Sequence, residues 1–191
     1  MLHALLAALL LQAPAAPDTS GSLMTNAGVV RAAGAVDSVF VARSIDSALI
    51  DHGDWTAYLM ARLGIRPIPT MGIRVAEGEG CLRIHGALRD IPPEGRAALS
   101  TLISLFDPAT RFTATITLDR PAARAIRFRL DAAWLADFPI PEAVLAPGLR
   151  MVGEKYPVLA NGGRELFVEI PVDGQVTLTP QGVLLRAPKR P

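Results

Sequence analysis

Cysteine is almost missing from this chain of 191 residues: Cys81 stands alone, so no intramolecular disulfide can form. A lone thiol suits an exported chain only when it is kept from solvent, and Cys81 is expected to be buried and inert. Lysine is nearly as rare, with only Lys155 and Lys189, and the formal net charge is +1. Strong sequence-independent binding to phosphate needs a basic surplus, so nucleic acid is not an expected partner. Aromatic residues make up 5% of the chain, which leaves aliphatic side chains to fill the core. After Leu11 no stretch is long and apolar enough to cross a bilayer as a helix, which takes about 20 residues.

The common catalytic signatures are absent as well. There is no Gly-x-Ser-x-Gly elbow, and neither lysine sits in a glycine-rich phosphate loop. Gly78-Glu79-Gly80 opens like a dinucleotide loop, but Arg83 stands where its third glycine belongs, and a hairpin turn explains the segment better. Beyond His3, the histidines are His52 and His85, too few for a zinc site built from about four nitrogen or sulfur ligands. Neither a cofactor nor a metal is expected. Asp51, His52 and Asp54 form the tightest polar cluster. A hydrolase centred there is a remote alternative, because neighbouring residues at a helix start point in different directions. Cys81 and His85 would share a strand face but stand about 13 Å apart at strand rise, too far for a dyad. Glu77 and Glu79 flank the expected turn, where charge is normally solvated, and Asn161-Gly162-Gly163 reads as a loop.

What is present begins with Leu2 to Leu11, an almost unbroken run of leucine and alanine. It is too short to span a bilayer and has the length of a signal-peptide core, about 7–15 residues. Ala13 and Ala15 supply the small residues before a cut, so residues 1–15 are expected to be a signal peptide and the protein to be exported, periplasmic or extracellular. Residues 16–35 read as a linker or mature N-terminal segment, and residues 36–187 as one α+β domain.

Within that domain, Val36 to Val41 suits a strand or a helix entry. Ser44 is expected to cap a helical segment Ile45 to Ile50. After a break at Gly53, Asp54 caps a second segment with Trp55, Tyr58, Leu59 and Leu63 on one face. From Met71 the period changes to two. Ile73 and Val75 alternate with Arg74 and Ala76; Leu82, Ile84 and Leu88 alternate with Arg83, His85 and Arg89. Pro92-Pro93 opens a helix running to Phe106, with Leu99, Leu102, Ile103 and Phe106 as its stripe. Phe112, Ala114, Ile116 and Leu118 alternate with threonines. A turn at Asp119 to Pro121 leads to Ile126, Phe128 and Leu130, then a helix near Glu142 to Val152. Leu166, Val168 and Ile170 alternate, Asp173-Gly174 turns into Val176 and Leu178, and Pro180-Gln181-Gly182 turns into the last strand. The sum is a curved, mostly antiparallel sheet of about six strands packed on amphipathic helices, aliphatic on one face and bearing threonine and arginine on the other.

That element order, ending in the glycine-turned segment Phe167 to Val176, resembles bacterial envelope proteins of the tubular lipid-binding (TULIP-like) kind. The resemblance spans about Val36 to Arg186 and implies an apolar groove for acyl chains. The expected partner is therefore an apolar ligand or lipid, with Leu99, Leu102, Phe106, Phe112, Ile116, Ile126, Phe128, Leu166 and Val168 as candidate lining. The rival reading is a structural or protein-interaction module. In it the outer face, with Arg74, Arg83, Arg89, Arg127 and Arg129, would meet an anionic partner.

Overall fold

The alternation that starts at Phe112 becomes the two longest strands, β5 (Arg111–Ala122) and β6 (Ala125–Leu135), paired antiparallel. The computed structural model describes residues 20–65, 67–68, 71–91, 96 and 106–188. The expected signal peptide, residues 1–15, lies outside them, as do Leu99, Leu102 and Ile103 of the expected proline-opened helix.

In chain order the elements are β1 (Ser22–Leu23), α1 (Asn26–Val36), β2 (Ser47–Ile50), α2 (His52–Arg62), β3 (Arg74–Gly78) and β4 (Cys81–Ala87). After β5 and β6 come β7 (Phe138–Pro139), α3 (Glu142–Lys155), β8 (Leu159–Ala160), β9 (Glu165–Glu169), β10 (Gln175–Thr179) and β11 (Gly182–Arg186). The main sheet has eight strands in the order β1-β3-β4-β5-β6-β9-β8, with β7 returning onto β6. A second sheet has the order β10-β11-β2. Every pairing in both is antiparallel. The fold is α+β, with an open, curved main sheet.

Period-two patterning explains most of the sheet. Val75, Leu82, Phe128 and Leu166 are buried, and all join one hydrophobic core with Met24, Trp55 and Leu59. The register of β5 on β6 shifts between Thr115 and Ile116. Ile116 faces Leu130 while Thr115 faces Ala132, so Asp131 is an extra residue on β6. This bulge swaps the inward set from Ile126, Phe128 and Leu130 to Ala133 and Leu135. It also adds bend, as bulges do.

Several local expectations are corrected. Residues 16–35 are not all linker: Ser22–Leu23 pairs with β3, and Asn26–Val36 is a helix capped by Thr25, whose hydroxyl accepts from Gly28 N–H at 2.9 Å. Ile45 to Ile50 is not helical. Ser47–Ile50 pairs with β11, because a six-residue segment cannot offset helix nucleation while a strand partner is on offer. Gly53 does not interrupt α2 and Asp54 does not cap it. Asp51 is the cap, accepting from Gly53 N–H at 2.9 Å. Gly53 is where the helix passes the chain of β1; a Cβ there would press on the Leu23 carbonyl. The β5–β6 turn falls after Ala122, not at Asp119 to Pro121. A register shift between Asp119 and Ala122 leaves room for Pro121, which has no N–H to give to the ladder. The strand of Leu82 stops at Ala87, and Leu88–Asp90 is a single 3-10 turn. The Asp173-Gly174 bend does not close a hairpin. β9 pairs with β6 and β8, whereas β10 pairs with β11 in the other sheet. That bend carries the chain from one sheet to the other, since each strand finds its apolar partner elsewhere.

Candidate functional site

Among the described residues, the helices that cover the inward face of the main sheet do not fill it. A cavity of about 380 Å³ lies between them. From the sheet it is walled by Ile73, Ile84, Phe112, Ala114, Ile116, Phe128 and Leu166; from α2 by Thr56, Leu59, Met60 and Leu63; and from α3 by Leu145, Gly148, Leu149 and Val152. The α3 set recurs at i, i+3, i+4 and i+7, one helix face. Its volume falls within the range of small-molecule sites, about 300–1,000 Å³. The side chains are almost all hydrocarbon; Thr56 spends its hydroxyl on the His52 carbonyl at 2.9 Å within its own helix. Trp55 backs the wall, its ring 6.1 Å from that of Phe128 and 5.6 Å from that of Tyr58.

Of the candidate lining residues, the structure brings Phe112, Ile116, Phe128 and Leu166 to this cavity. Ile126 and Val168 lie farther along the same face but in solid core, 2% and 6% exposed. Phe106 is 38% exposed and is not among the described lining residues. Leu99 and Leu102 lie outside the described residues. The contributions of α2 and α3 were not singled out, although the helical spacing of Leu145, Leu149 and Val152 carried that signal.

The arginine face is balanced by acids. Arg127 donates to Asp119, with its Nε 2.9 Å from Oδ1, and its Nη1 lies 3.5 Å from Glu165. The Asp119 carboxylate holds the Arg127 guanidinium above its ordinary value, and Arg127 holds Asp119 below its own. Arg129 Nε donates to Asp131 at 2.7 Å. Arg74 reaches the Gly21 carbonyl at 2.9 Å, Arg83 is exposed on β4, and Arg89 sits on the 3-10 turn rather than on the sheet. The alternating signs on β5 and β6 arise because Asp119 and Arg127 are direct cross-strand partners.

Asp51, His52 and Asp54 do not converge. Asp51 caps α2. His52 donates from Nε2 to the Thr179 carbonyl at 2.9 Å, tying α2 to the small sheet. Asp54 is taken by Arg31 through two 2.7 Å bonds, which hold the Arg31 guanidinium above its ordinary value. Cys81 is half-buried, not enclosed as expected, because it opens β4 beside a solvent-facing turn. Glu77 serves that turn by accepting from Gly80 N–H at 3.3 Å. Among the described residues no three of His, Cys, Asp and Glu gather where they could hold a metal ion, and no helix is long and apolar enough to cross a membrane.

No protein-family model, curated protein or solved structure matches this chain.

Proposed function

We propose that this is an exported envelope protein that binds an apolar ligand, a lipid chain, between its main sheet and helices α2 and α3. The observation that carries the reading is the cavity of about 380 Å³ walled almost wholly by hydrocarbon. Transferring an alkyl chain from water into such a space is worth about 0.8 kcal/mol per buried methylene. An occupant that fits such a space also gains dispersion contacts with its lining. Export is supported by the apolar run Leu2 to Leu11 and the small residues Ala13 and Ala15. Support for lipid comes from the cavity itself. The rival interaction reading has less behind it, since Arg127 and Arg129 already have acidic partners.

The test is native mass spectrometry on the protein purified from its own envelope fraction without detergent. A retained extra mass that extracts into organic solvent and identifies as lipid is the expected result. A bare mass that stays bare after incubation with envelope lipids would overturn the reading.

A further inference from the structure

The apolar cavity has a polar annex. Leu149 and Arg164 face both the cavity and a smaller recess of about 220 Å³, whose other polar groups are Glu142, Arg150 and Asn161. The recess thus lies against the cavity wall where α3 meets the loop before β9. Among the described residues its charges do not cancel: two guanidiniums face one carboxylate. Arg164 is bound to Glu142, and Asn161 gives its amide to Glu165 at 3.3 Å. Among the described residues Arg150 has no hydrogen-bond or ion-pair partner. One solvent-facing fork of donors, without a protein partner among the described residues, therefore lies beside a hydrocarbon-walled space.

We propose, on the footing of the apolar-cavity reading, that the ligand is an alkyl carboxylate. Its chain occupies the cavity and its head enters the recess to meet Arg150 and Arg164. A guanidinium matches a carboxylate with two parallel N–H···O bonds, which adds orientation to attraction. A neutral head would leave the charge of Arg150 unanswered and gain nothing from the recess. The chain supplies affinity that is indifferent to the head, and the head supplies selectivity.

The experiment titrates the full-length protein, delipidated, with dodecanoate and with dodecanol, which differ at the head alone, and repeats both with Arg150→Gln and Ala114→Phe. Arg150 is exposed, so its replacement does not threaten the fold. The expected result is dodecanoate bound about tenfold more tightly than dodecanol. Arg150→Gln should lose most of that preference, and Ala114→Phe should weaken both probes. Equal binding of the two probes by the unmodified protein, still weakened by Ala114→Phe, would overturn the carboxylate proposal and leave the cavity reading standing. Binding of neither probe would overturn both. A preference for dodecanoate left undiminished in Arg150→Gln would overturn the assignment to this recess.

Discussion

Arg31 and Asp54 are joined at both carboxylate oxygens, 2.7 Å at each, across 23 residues of sequence. The two ends of this pair differ in setting: the Arg31 side chain is 62% exposed and that of Asp54 is 8% exposed. Gly28 lies so close that a Cβ there would overlap the Asp54 carboxylate, which shows how tightly α1 is pressed onto α2. Removing Arg31 strands a buried charge, whereas removing Asp54 returns an exposed guanidinium to water. Thermal unfolding should therefore rank Arg31→Ala as more destabilising than Asp54→Ala. The reverse order would mean that water already reaches the Asp54 carboxylate.

Space in the cavity should be open to engineering in one direction only. Ala114→Phe places a ring in an unfilled volume, so the unfolding temperature should hold or rise while binding of a long-chain probe is lost. Leu59→Ala, at 6% exposure, deletes a wall and should cost about 2–5 kcal/mol. Denaturant titration of both variants, with and without a long-chain ligand, checks the pair. A loss of stability in Ala114→Phe comparable to that of Leu59→Ala would indicate a packed interior.

The loop beside the recess gives a matched comparison. Gly162 has φ +62° with nothing near a built Cβ, whereas Gly163 has φ +86° and a Cβ there would run into the Leu149 carbonyl of α3. Gly162→Ala should cost about 1 kcal/mol from backbone conformation alone. Gly163→Ala should cost distinctly more, since α3 must move. Equal losses in chemical denaturation would show that α3 does not rest on this loop.

Asp119 offers a test by pH. Its carboxyl is held below the ordinary value of 3.8, first by the hydrogen bonds from Arg127. A carboxyl with a depressed folded-state pKa contributes stability that is fully present above the unfolded value and is lost as pH falls through the folded one. The contribution of the pair is thus intact at neutral pH and fades only below about pH 4. Asp119→Asn should flatten that acid limb slightly, and added salt should shrink the difference because the pair is exposed. An unchanged acid limb in Asp119→Asn would remove Asp119 as its source.

The inward face of the sheet was legible in the residues themselves. Phe112, Ile116 and Phe128 alternate with polar neighbours, and alternation maps directly onto sheet faces. So did α3, whose apolar residues recur at helical spacing. What could not be read was partnership. Ser47–Ile50 looks helical until β11 is beside it, and Phe167 to Val176 looks like a hairpin until its halves are claimed by separate sheets. The Asp131 bulge is silent for the same reason, because it exists only relative to β5.

Period and capping are local properties of a chain, so they marked the long strands, the bodies of α2 and α3 and the apolar side of each, while Asn26–Val36 and Ser47–Ile50 escaped them. Whether those apolar sides meet in solid packing or leave a space depends on distances between segments far apart in sequence. Those distances are set by sheet bend, by glycine contacts such as Gly53 on Leu23, and by the pairing of Arg31 with Asp54. Ile126 and Phe128 carry the same pattern, yet one is sealed in the core and the other borders the cavity. Only the three-dimensional packing of α2 and α3 against the sheet decided that difference.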